Sequence, residues 1–141
     1  YDTYDPFGAR ELTPHLEGRY DFCSAFETAE HAPDPHAFLR DILRLCSPGR
    51  LAVLVGTHAS DSNVSPYERL RWWYAGPRNG HISLYSRESL RRLGAAYGLE
   101  YATLTGNTHL FTRGISSRQA ARWLMRGALR QRLHRLMRRA A

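Results

Sequence analysis

The stretch from Tyr20 to Val55 constrains this chain more than any other part of it. Tyr20-Asp21-Phe22-Cys23-Ser24-Ala25-Phe26 is nearly all apolar or small, and Glu27 to His31 follows as a polar turn. Asp34-Pro35 then opens a helix, Pro48-Gly49 stops it, and Leu51-Ala52-Val53-Leu54-Val55 is again apolar. Short apolar runs bounded by turn signals read as strands covered on both faces, as in a parallel sheet. Proline suits the first helical turn, and the Asp34 carboxylate can accept from the free amides there. Between the two runs, Phe38, Ile42, Leu45 and Cys46 are expected on one helical face.

Further along, Ser86 is placed to begin a second helix, with Glu88 and Ser89 in its first turn. Leu90, Leu93, Ala96 and Tyr97 form its expected inner face, and Gly98 ends it. Tyr101 to Thr105 and His109 to Thr112 are predicted strands joined by Gly106-Asn107, a good hairpin turn. The order strand, helix, strand, helix, hairpin predicts an α/β fold with a parallel core and one antiparallel edge. In that sheet Tyr20–Phe26 lies beside Leu51–Val55, with the hairpin beyond. Residues 56–85 lack a strong period and hold Trp72, Trp73, Tyr74, Pro77, Asn79, Gly80 and His81. A segment this long between regular elements is more often functional than accidental.

Charge divides the 141 residues unevenly. The formal net charge is +7, yet every basic residue is an arginine, and nine of them fall from Arg113 onward with no acid among them. Residues 1–112 therefore carry −2, and the C-terminal segment alone makes the protein basic. From Ser116 to Ala141, residues Ala121, Met125, Leu129, Leu133, Leu136, Met137 and Ala140 recur at helical spacing among the arginines. The expected division is 1–115 for the α/β domain and 116–141 for an arginine-rich amphipathic helix. That helix either packs its apolar stripe on the body or a partner protein, or meets an anionic surface. Trp123 is its only aromatic residue, so stacking platforms for bases are missing and nucleic acid is an unlikely partner. No run approaches the eighteen or more apolar residues of a membrane span, and no signal peptide opens the chain. Cys23 and Cys46 read as small buried hydrophobes rather than a disulfide, their spacing is not that of a metal site, and no metal is expected. A cytoplasmic location follows as the expectation.

Asp21 early in the first strand, Glu27 at its end, the Glu30-His31 pair, the Asp34-Pro35 helix start and the Pro48-Gly49 turn occur in one order and at one spacing. Together they resemble the central part of a class I S-adenosylmethionine-dependent methyltransferase. The segment Trp72 to Ser86 is similar to that of a subset of these enzymes with an aromatic, Gly-His-containing insert before the penultimate helix. The resemblance covers residues 1 to about 112 and implies a partial Rossmann-like sheet, the C-terminal two-thirds of such an enzyme. It departs from the family in having no Gly-x-Gly-x-Gly turn and in Arg50, where a second glycine is usual.

What the resemblance implies about sites can be stated residue by residue. Asp5, in Tyr4-Asp5-Pro6-Phe7, looks like the acid that takes the cofactor ribose hydroxyls, since a carboxylate can accept from both. Phe26 and Glu27 are expected at the cofactor, beyond the carboxyl end of a parallel strand. His31 and His81 are the candidate bases, because imidazole accepts a proton near neutral pH. Alternatively, His31 fixes the turn after the strand and His81 organises its loop. Tyr74, Arg78 and Asn79 are the candidate substrate contacts. The implied activity is methyl transfer from S-adenosylmethionine to a small molecule or glycan, with O-methylation favoured because a histidine base fits a hydroxyl nucleophile; the missing glycine-rich turn leaves open an inactive form of this chain. The rival reading is a non-catalytic, methyltransferase-like scaffold that uses its basic helix for a partner.

Overall fold

The computed structural model describes residues 16–63 and 71–127. Asp5, the 64–70 segment and the tail beyond 127 therefore lie outside the described residues. The elements are β1 (Phe22–Phe26), α1 (Pro35–Leu45), β2 (Leu51–Gly56), the short α2 (Ser60–Asn63), α3 (Arg87–Ala95), β3 (Glu100–Thr105) and β4 (Thr108–Arg113). A further helix, α4, runs over 117–127. Single 3₁₀ turns occupy Ala29–His31, Trp73–Ala75 and Pro77–Asn79.

The four strands form one sheet in the order β1-β2-β4-β3. β1 and β2 are parallel, with Phe22 opposite Ala52 and Phe26 opposite Gly56. β2 and β4 are antiparallel, with Leu51 opposite Arg113 and Gly56 opposite Thr108, and β3 pairs antiparallel on the far side of β4. This is the parallel pair with an antiparallel C-terminal hairpin that the residue pattern predicts, a mixed sheet consistent with a partial Rossmann-like fold.

Local chemistry fixes the helices where the sequence places them. The Asp34 carboxylate accepts from the His36 amide at 2.8 Å, with Pro35 in the first turn. Ser86 and Ser89 form a reciprocal capping box at the start of α3. After α3, Gly98 takes a φ of 66°. The main core lies where α1 and α3 cover one face of β2: Leu39, Leu51, Val53, Val55, Leu90, Leu93 and Phe111 are all buried there. On α1 the central residue is Leu39, fully buried, with Phe38, Ile42 and Leu43 packed around it. The apolar face is therefore rotated slightly from the expected one, because Leu39 and not Leu45 meets the sheet.

Two further expectations are corrected. β1 is not fully covered: Phe22 and Phe26 are about half exposed, because β1 is an edge strand and among the described residues only β2 pairs with it. In the described part of the C-terminal segment the apolar contacts are offset by one position from the expected ones; the stripe from Leu129 onward lies outside the described residues. Ala120 and Leu124, with Ile115, pack on Ala52 and Leu110 from the second face of the sheet, while Met125 is exposed. Cys23 and Cys46 are free thiols with their sulfurs 3.4 Å apart.

Candidate active site

The carboxyl ends of the two parallel strands end side by side, and each continues into a turn that carries polar side chains. Ligands of open α/β sheets bind in the crevice at this end. At the end of β1 the Glu27 amide donates to the Gly56 carbonyl at 2.9 Å, and Glu27 adopts a φ of 50°. A non-glycine residue held in this left-handed region costs energy, and such strain clusters at functional sites. The Phe26 ring lies over Gly56, where an added Cβ would clash with it.

Glu30 follows in the 3₁₀ turn and is wholly buried. The long aromatic segment is fastened to this same turn. The amides of Ile82 and Ser83 both donate to the Glu30 carbonyl at 2.9 Å, the Ser83 hydroxyl donates to the Ala32 carbonyl, and the Tyr85 hydroxyl donates to the Ala29 carbonyl at 3.0 Å. These bonds join residues about fifty positions apart and bring the Glu30-His31 and Gly80-His81 motifs into one cluster.

Within it, the Tyr74 hydroxyl donates to Glu30 Oε1 at 2.6 Å and lies 3.1 Å from Thr57 Oγ1. Burial, and then the neighbouring Glu30 carboxylate, push the Tyr74 phenol well above its usual range, so it stays a donor. The other Glu30 oxygen, Oε2, is buried with no hydrogen-bond partner among the described residues. The Glu27 carboxyl is raised above its ordinary value by partial desolvation first and then by adjacent Glu30, with His58 and His81 pulling it back. His31 and His81 meet edge to face with ring centroids 4.8 Å apart, and His81 lies against the Tyr74 ring at 4.1 Å.

Both histidines have a defined tautomer. His31 Nδ1 is 3.0 Å from the Gly80 carbonyl, and His81 Nδ1 is 2.6 Å from the Tyr74 carbonyl. A carbonyl only accepts, so Nδ1 carries the hydrogen in both rings and each neutral ring keeps its lone pair at Nε2. Gly80 makes the first contact possible: its φ is 69°, which a side chain would strain.

The sequence-derived candidates thus separate. His31, His81, Phe26 and Glu27 gather at the carboxyl end of the parallel pair. Tyr74 is fully buried behind them and holds Glu30, so it has no exposed surface to offer a substrate. Arg78 is exposed on the 3₁₀ turn after Gly76, and the Asn79 amide nitrogen donates to the Trp73 carbonyl. Asp5 lies outside the described residues. Sequence reasoning gave Glu30 no role of its own, nor Thr57. The available signal was a glutamate beside Ala29 at a strand end, a setting in which a buried carboxylate needs dedicated partners. His58, which packs against Trp73 and Tyr74 at the end of β2, is a third imidazole in the neighbourhood.

Residues 1–104 match a family model described as a methyltransferase domain. No curated protein and no solved structure matches the chain.

Proposed function

Since the chain belongs to the methyltransferase-domain family, we propose that it transfers a methyl group from S-adenosylmethionine to a hydroxyl of a small molecule or glycan. The observation that carries this reading is the convergence of the His31 and His81 imidazoles and the Glu30 carboxylate beyond the carboxyl end of β1, the end of an open α/β sheet at which ligands generally bind.

The described residues fit the methyl-bearing end of the cofactor. A sulfonium cation is stabilised by an aromatic face and by carboxylate charge, and the half-exposed Phe26 ring and exposed Glu27 stand together at the crevice. Phe26 and Glu27 would hold that end, and Asp5 the ribose hydroxyls. S-adenosylmethionine supplies an electrophilic methyl group; the protein's part is to align the acceptor with it and to make the acceptor oxygen nucleophilic. Alignment is the larger contribution, as orientation alone can supply roughly 7–11 kcal/mol. Activation of the hydroxyl falls to the histidines, and acid–base assistance is worth about 10²–10⁴-fold. The loop 71–85, anchored on Glu30, supplies the wall that faces the acceptor, with Arg78 at its exposed rim.

The test is transfer of a labelled methyl group by the full chain to a panel of phenols, polyols and sugars, with His81→Ala alongside. Turnover on a hydroxylated acceptor that falls about 10²-fold or more in the variant supports the reading. Absence of both cofactor binding and transfer by the full chain overturns it. Transfer that goes only to amines or thiols overturns the O-methylation part.

A further inference from the structure

One histidine is enough to take a proton from a hydroxyl, yet this site has two, together with a buried carboxylate oxygen that has no hydrogen-bond partner among the described residues. One ligating atom from each of Glu30, His31 and His81 lies within 4.8 Å of the others. We propose that Glu30, His31 and His81 form a binding site for a divalent transition-metal cation of the kind that takes mixed imidazole and carboxylate ligands.

Three observations carry this. First, both imidazoles are oriented by a backbone carbonyl on Nδ1, at 3.0 Å for His31 and 2.6 Å for His81, which leaves Nε2 unprotonated. A carbonyl acceptor on the distal nitrogen is the usual way a protein fixes a metal-binding histidine. Second, Glu30 Oε1 accepts from Tyr74, while its buried Oε2 has no hydrogen-bond partner among the described residues and lies near a second carboxyl, that of Glu27, a setting that calls for a cation or a proton. Third, the three ligands come from two segments tied by the paired bonds of Ile82 and Ser83 to the Glu30 carbonyl, so the site does not rest on one flexible loop. Metal–nitrogen bonds near 2.1 Å allow two ligands of one ion to stand at most roughly 4.2 Å apart, so small side-chain rotations close the set.

Two imidazoles and a carboxylate suit first-row divalent ions better than magnesium or calcium, and three protein ligands leave open coordination positions. Binding of the ion stands independently of the methyl-transfer reading. Its use rests on that reading: an open position would take the acceptor oxygen and lower its proton affinity, so that the histidines act through the ion.

The experiment is a titration of the metal-stripped full chain with Co²⁺ alone, followed by its visible absorption and by calorimetry. One Co²⁺ per chain is expected, with His31→Ala and His81→Ala each weakening it at least tenfold. His36→Ala, on α1 away from the site, should bind Co²⁺ as the wild type does. Glu30→Gln keeps an acceptor for Tyr74 and should also lose the ion, while circular dichroism shows that each variant retains its fold. No saturable binding, or binding indifferent to His31 and His81, overturns the site and leaves a proton on the carboxylate instead. Specific Co²⁺ binding in a chain that transfers no methyl group would uphold the site and remove the catalytic reading.

Discussion

Tyr74 shows how a single side chain fixes the chemistry of this protein. Its hydroxyl donates to an oxygen of the buried Glu30, and its ring supports His81. Tyr74→Phe should therefore destabilise the chain by about 1.5–3 kcal/mol, the worth of a hydrogen bond to a charged group. Urea denaturation measures this, and an unchanged midpoint would show that the Tyr74 hydroxyl adds nothing to stability through Glu30. Glu30 itself was visible in the sequence only as half of a Glu-His pair. Its burial depends on Tyr74, forty-four positions away. No local pattern carries that information, because burial of a carboxylate is decided by whichever donors the rest of the chain delivers.

The elements were more legible than the residues that line the site. Caps at Asp34 and Ser86, the turns at Pro48-Gly49 and Gly106-Asn107 and the two apolar strands each follow from local preference, and the structure has them within a residue or two. Packing between elements imposes further demands. Gly94 lies in the last turn of α3, where alanine is ordinarily the better helix former. Here an added Cβ would come within 2.7 Å of the buried Phe111 ring. Gly94→Ala should thus destabilise by about 1–3 kcal/mol, the cost of overpacking; a gain in stability would show that Phe111 has room to move.

In the hairpin, His109 is buried on β4, its Nε2–H donating to the Thr57 carbonyl at 3.1 Å and its Nδ1 accepting from the Tyr101 hydroxyl at 2.9 Å. Burial holds its pKa below the ordinary 6.5, against the Thr57 bond and Asp61, which pull upward, while Arg87 adds to the lowering. The folded pKa is depressed, so the unfolded chain binds the proton more readily. This contribution to stability is complete above about pH 6.5 and is lost as pH falls through the folded value. His109→Gln should flatten the acid side of the stability–pH curve relative to wild type. Parallel curves between pH 7 and 5 would place the titrating groups elsewhere.

At the scale of the whole molecule, the sheet has two covered faces, and the second depends on α4. Leu110 is fully buried beneath Ala120 and Leu124. A chain ending at Gly114 should expose that face and lose cooperative unfolding or solubility, as judged by circular dichroism and sedimentation. If the truncated chain stays folded and monomeric, the helix is a peripheral attachment, and its arginines become the better account of its presence. Among the described residues no helix is long and apolar enough to cross a membrane. The sequence by itself determined the order and kind of the elements, the parallel pair and the hairpin edge, and the motifs that resemble a methyltransferase. These depend on periodicity, caps and turns, which act over a few residues. Only the tertiary structure decided that Phe22 and Phe26 of β1 stay half exposed, that α4 packs through Ala120 and Leu124, and that Glu30, His31 and His81 gather against Tyr74. Those outcomes depend on which surfaces meet across fifty or more positions, and the preferences of neighbouring residues do not encode that meeting.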